Sequence, residues 1–334
     1  MKKIRISIVF LVLESMCFAA DLKVVPLQGL LKPDSIEASD SHIYISDGFN
    51  VKIFSLEDFK LKKTFGKRGE GPKDFKGFIL PYVQPDYIFI NSPNKVSYFT
   101  LDGEFIKEIH IRHIFGRFKP LGKDQFVGYH YSREEKIRYE SIYLFNSKFE
   151  KVKQLYQREY MIDKNRKINF IEERPPFFYI VDNKVFLDGV DGVIYVFDNT
   201  GKKVTGLRCP CERIPFTKEH KQRFINYFKN HPETRDYYRN IKDRMTFPDY
   251  FPPIRMFHVT DNNIYVMTYK EKDGKNEFVI MDVSGKLLKT VFIPVAPFEE
   301  STVIISYTIK NGKLYHLKDN EETEEWELPI YEID

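Results

Sequence analysis

One hydrophobic pattern recurs along this chain. An apolar strand ends in a bulky residue, passes through a short polar turn and continues into a second strand. It is read in VKIFSLEDFKLKKTF from Val51, KVSYFTLDGEFIKEI from Lys95, SIYLFNSKFEKVKQL from Ser141, VIYVFDNTGKKVTGL from Val193 and EFVIMDVSGKLLKTV from Glu277. The bulky anchors Phe54, Phe99, Phe145, Phe197 and Met281 are spaced 45, 46, 52 and 84 residues apart. An all-strand unit repeating every 40–50 residues or so predicts the blades of a β-propeller.

The pattern fills in the rest of each blade. Six further apolar runs predict second strands: IYISD at Ile43, YIFIN at Tyr87, QFVGY at Gln125, KVFLD at Lys184, NIYVM at Asn263 and KLYHL at Lys313. Innermost strands are expected near Ser35–Ala38, Phe78–Tyr82, Phe118–Leu121, Phe177–Val181, Met256–Val259 and Val303–Tyr307. The turns Asp102-Gly103, Asn199-Thr200-Gly201 and Ser284-Gly285 supply the positive backbone angle of tight hairpins. The expected fold is therefore all-β, a six-bladed β-propeller with four-stranded antiparallel blades. The sixth blade lacks an outer strand at the C-terminus, while Leu22–Leu27 is an orphan strand near the N-terminus. Its Pro26 suits an edge position, so this segment is expected to complete the last blade and close the ring.

The longest gap in the repeat holds an insertion over about 212–254, between blades four and five. Thr217 is a candidate helix N-cap, and Phe224, Tyr227 and Phe228 share one helical face. Asn230-His231-Pro232 breaks this helix, and Tyr237, Tyr238, Ile241 and Met245 predict a second short one. Phe247-Pro248-Asp249-Tyr250-Phe251-Pro252-Pro253 is a stiff return to blade five. Two roles suit the insertion: a cap packing its aromatic face on the propeller end, or a lid over the tunnel mouth.

Composition narrows the biology. The chain has 334 residues, 42% apolar and 16% aromatic, enough for one large domain with a sizeable core. The formal charge is +4 from 52 basic and 48 acidic residues, which leaves no electrostatic footprint for nucleic acid. Lys2, Lys3 and Arg5 precede a short apolar run, Ile6 to Leu13, with Ala19 and Ala20 available for cleavage. This reads as a signal peptide over 1–19 followed by a single domain over 20–334, exported to the periplasm or the extracellular space. The run is shorter than the roughly 20 residues that span a bilayer, and no later segment resembles a transmembrane helix. Cys17 admits a second reading as a lipid attachment site, although Glu14-Ser15-Met16 before it lacks the aliphatic and small residues such sites favour. Cys209 and Cys211 flank Pro210, either as a local disulfide clip or as two thiols.

The run Gly66-Lys67-Arg68-Gly69-Glu70-Gly71-Pro72-Lys73-Asp74-Phe75 follows the outer strand of blade one. It resembles the glycine-rich connection of NHL-type repeats, where a G-x-x-G-x-G-P-x-x-F run leads into the next blade. The chain from residue 20 onward looks like the exported six-bladed propeller proteins related to NHL repeats. That resemblance implies the fold more strongly than an activity. Six-bladed relatives include calcium-dependent lactonases and a zinc-dependent amidating lyase, which hold metal in the tunnel on carboxylates, amides or histidines of several innermost strands. Here only Glu37 and His258 offer such ligands on the expected innermost strands. Glu37 also reads as a paired surface carboxylate, and His258 as a hydrogen-bonded core histidine. Asp47, Asp188, Asp198 and Asp282 follow strand ends, where aspartate stabilises turns.

These observations favour a non-catalytic, monomeric binding scaffold for a protein, peptide or glycan, with no cofactor or metal. A metal-dependent hydrolase or lyase with its site in the tunnel is the alternative. A ligand is expected at the mouth beside the insertion, where Arg174, Tyr250, Phe251, Arg255 and His258 combine arginine and aromatic groups.

Overall fold

The computed structural model describes residues 22–111, 117–134, 137–159, 167–169, 171–172, 174, 176–189, 191–232, 234–295, 306–320 and 322–333. The expected signal peptide lies outside them.

Six antiparallel sheets form the six blades. Blade one is Pro33–Ala38, His42–Asp47, Asn50–Ser55 and Leu61–Phe65, paired in that order from the axis outward. The innermost strands of blades two to six are Leu80–Val83, Phe118–Leu121, Phe178–Val181, Met256–Thr260 and Tyr307–Lys310. In blade six the third strand is Glu325–Glu332, and Leu22–Leu27 pairs with it antiparallel, from Leu22 opposite Tyr331 to Leu27 opposite Trp326. The N-terminal strand thus closes the ring as its outermost member. A short strand, Lys318–Asn320, adds to the same sheet.

Two innermost strands differ from expectation. Blade two begins at Leu80 rather than Phe78, because pairing starts where Leu80 meets Asn91; Phe78 is half exposed. Blade six uses Tyr307–Lys310 rather than Val303–Tyr307, since its partner Lys313–His316 spans only four residues. Residues 303–305 of that expected strand lie outside the described residues.

Burial explains the sequence pattern. A second strand lies between neighbouring blades on both faces, so Ile88–Ser92 is buried at every position. The outermost Leu61–Phe65 meets solvent and has no fully buried residue. The repeat anchors Phe54, Phe99, Phe145, Phe197 and Met281 are all buried in the packing between blades. Phe99, for example, meets Phe65 with ring centres 4.5 Å apart and Phe105 edge-on at 5.6 Å.

The glycine-rich connection has a local reason. Gly66 has a φ of +86°, and a Cβ there would meet the buried Phe75 ring at 2.5 Å. Phe75 N–H donates to Lys67 O and Gly69 N–H donates to Phe75 O, which folds the run onto itself. Asp198 and Asp282 brace their hairpin turns by accepting backbone N–H bonds from Thr200 and Lys202, and from Ser284 and Lys286.

The insertion forms helices α1 (Lys218–Asn230) and α2 (Arg235–Ile241). Thr217 caps α1 in a capping box with His220, and Phe224 and Phe228 form its buried face. With Phe251, Tyr269 and Ile171 they make a separate aromatic cluster against blade five and the loop leading to blade four.

Candidate ligand site in the tunnel

The innermost strands carry one register level around the axis. Glu37, Tyr82, Lys119, Tyr179, His258 and Thr308 lie opposite Tyr44, Phe89, Val127, Phe186, Tyr265 and Tyr315 of the second strands. Each position comes from a different blade. Together they line a cavity of about 780 Å³, which opens past the turns at the ends of the innermost strands. Its rim includes Asp40, Asp86, Asp182 and Asp261 with Lys123 and Lys310. The insertion joins the chain where the innermost strand of blade five begins, so the cavity opens at the opposite end of the tunnel.

Lys119 is the hub. Its ammonium donates to Phe178 O at 3.0 Å and lies over the rings of Tyr179, Tyr82 and Phe178, at 4.3, 4.9 and 5.3 Å. Burial pushes its pKa down, and the charge of Glu37 opposes that shift. Burial pushes the Glu37 carboxyl up, and Lys119 pulls it partly back. Glu37 thus belongs to the tunnel rather than the outer surface. His258 is held down to about 3, first by burial and then by the Lys119 charge, so its ring is neutral near pH 7. Its ring centre is 4.6 Å from that of Tyr179.

These groups are unspent. Among the described residues, Glu37, Tyr82, Tyr179, His258 and Thr308 have no side-chain hydrogen-bond partner in the protein. This departs from the expected hydrogen-bonded core histidine at His258. The Tyr307 hydroxyl, one residue before this level, is buried and also lacks a partner among them. The Tyr307 hydroxyl, so buried, is costly to fold, and titratable groups shifted by burial, as at Glu37, Lys119 and His258, cluster at functional sites.

The expected arginine and aromatic set is divided between the two ends. Phe251 is 2% exposed and stacks on Tyr269 at 4.4 Å. Arg255 is 2% exposed and lies over Tyr269. Arg174 pairs with the Asp188 carboxylate, donates to Ile254 O at 2.9 Å and covers the Phe177 ring. Tyr250 is exposed, with the Arg213 guanidinium 4.0 Å from its ring centre. His258 alone reaches the tunnel cavity.

A metal does not fit this level. Glu37 and His258 share it with the Lys119 ammonium, which repels a cation. Among the described residues no group of three or more His, Cys, Asp or Glu side chains is arranged to hold an ion. Cys209 and Cys211 are joined in a disulfide.

No protein-family model matches the sequence, and no curated protein matches it. Solved structures offer distant likenesses. Kluyveromyces lactis Hsv2 is 11% identical, with 88% of this chain and 96% of that chain covered and a TM-score of 0.38. BamB from Moraxella catarrhalis is 10% identical over 90% of this chain and 73% of its own, with a TM-score of 0.31. A Bacteroides caccae protein of unknown function is 12% identical over 85% of each chain, with a TM-score of 0.37. The propeller assignment rests on the strand pairing of the six blades.

Proposed function

We propose that this chain is an exported, non-catalytic β-propeller, akin to NHL-repeat propellers, that binds its ligand in the tunnel cavity opposite the insertion. The ring of unspent polar side chains at one register level carries this reading. Five blades supply acid, base or aromatic hydroxyl groups there, and six strands hold them in place. A cavity of about 780 Å³ is within the range of ordinary small-ligand sites. Of the residues expected from sequence, the proposal retains His258. Export is supported by the basic and apolar N-terminal segment and by the Cys209–Cys211 disulfide, a bond of oxidising compartments.

Two measurements test the reading. Thermal-shift screening against peptides and glycans should give hits that Tyr179→Ala abolishes while the variant keeps its fold. Hits unaffected by Tyr179→Ala would place binding elsewhere. Fusion of residues 1–30 to a reporter active only after export should give activity, and a silent fusion would remove the extracytoplasmic part of the proposal.

A further inference from the structure

Glu37 and Lys119 differ from other ion pairs of the molecule in one respect. Lys52–Asp47 at 2.7 Å and Lys95–Glu108 at 2.9 Å are contact pairs. Glu37 and Lys119 influence each other electrostatically, yet no contact within 4 Å joins them among the described residues. They occupy the same register level on blades one and three. Lys119 spends one of its three N–H donors on Phe178 O, and the Glu37 oxygens accept nothing from the protein. The cavity therefore presents a donor ammonium and a carboxyl raised to about 7, with no direct contact between them.

We propose that the ligand is a zwitterion, a free amino acid or short peptide whose carboxylate meets Lys119 and whose ammonium meets Glu37. The inference rests on the tunnel-cavity reading above and names the ligand class for it. A ligand with both charges pairs both groups at once. A purely anionic ligand leaves the Glu37 carboxyl protonated and without an ion pair, and a purely cationic one leaves Lys119 without an anion. The rim is consistent with an ammonium. Lys310 is engaged by Asp261 at 2.8 Å and Asp40 at 3.1 Å, which leaves Asp86 and Asp182 to outweigh Lys123. The rings of Tyr82 and Tyr179 hold the Lys119 ammonium in place, and their hydroxyls feel the charge of Glu37. Neutral His258 accepts or donates one further bond.

Calorimetry on the full chain tests this with one dipeptide, alanyl-tyrosine, in four forms: free, N-acetylated, C-amidated and doubly capped. Hydrogen bonds to charged groups are worth roughly 1.5–3 kcal/mol, or about 10–100-fold in affinity. Either single cap should therefore weaken binding by about tenfold or more. Glu37→Gln should erase the penalty of the acetyl cap and keep that of the amide, and Lys119→Met should do the reverse. Capped forms that bind the wild type as tightly as the free dipeptide would overturn the zwitterion assignment while leaving the cavity as a binding site. Absence of binding by all four forms at millimolar concentration would overturn it as well. The wild-type cap series reads out even if a variant fails to fold.

Discussion

Two ends of the same tunnel treat buried charge in opposite ways. Beside the insertion, Arg174 is matched by the Asp188 carboxylate, the Ile254 carbonyl and the Phe177 ring, and Arg255 packs on Tyr269. At the other end, Glu37 and Lys119 are held at one level without touching. The first arrangement ties the insertion's return to blade four. In the second, Lys119 bonds Phe178 O and lies over the neighbouring rings, while the Glu37 carboxyl makes no hydrogen bond to the protein among the described residues. The contrast separates a contact ion pair that holds elements together from two charged groups that share a level without contact. The same residue types, arginine and aromatic, build a packed cluster where nothing opens onto them, as at Arg255, Phe251 and Tyr269.

Breaking the matched end should have the largest effect. Arg174→Ala leaves Asp188 buried without its cation, and removal of one partner of such a pair costs about 3–5 kcal/mol. The melting temperature should fall by several degrees or more, while ligand binding in the opposite cavity is unchanged in the variant that remains folded. A melting temperature equal to wild type would show that Asp188 is satisfied without Arg174.

Acid should act next, through groups that stay neutral when folded. His258 is held down to about 3 and His316 to about 4, both chiefly by burial. Unfolding restores an ordinary histidine, near 6.5, so the unfolded chain takes up protons that the folded one refuses. Stability from these two groups is complete above about pH 6.5 and is lost as the pH falls through 6 toward 4. Glu37 works in the opposite sense, because its carboxyl is raised in the folded state. Melting curves across this range should show a smaller acid slope in His316→Phe, which cannot take a proton. An unchanged slope would mean that other groups carry the acid limb.

The smallest effect is expected at Tyr250. It is exposed and its ring lies beside the Arg213 guanidinium, so Tyr250→Ala should alter stability by less than about 0.5 kcal/mol. A change in ligand affinity in that variant would move binding to the insertion end and undo the contrast between the two mouths.

Much of this molecule was legible in its sequence, for definite physical reasons. The blades were readable because the third strands of five of them end in a bulky anchor that must fill the space between sheets, as Phe54 and Phe99 do. The closing strand was readable because Leu22–Leu27 had no partner of its own and the sixth blade lacked one. Helix α1 was readable from Thr217 and the Phe224–Phe228 face. The candidate site was only half legible. Glu37 and His258 stood out as possible metal ligands, whereas Lys119 did not, since lysine binds no calcium or zinc. A signal was present: Lys119 sits between Phe118 and Pro120 in a strand next to the axis, where a lysine faces the tunnel rather than the outer surface. Tyr82 and Tyr179 looked like ordinary aromatic strand residues until the register aligned them with Lys119. Arg255 and Phe251 both pack on Tyr269, which belongs to a different segment of the chain. No local pattern near residue 250 announces that contact.

The most direct test of the account is the melting temperature of Glu37→Gln, measured with and without the free dipeptide. A charge kept for a ligand costs stability in its absence. The variant should therefore melt at or above the wild-type temperature, and the dipeptide should raise it by less than it raises the wild type. A variant that melts well below wild type, as Arg174→Ala is expected to do, would mean that Glu37 holds the ring together and would contradict the central claim.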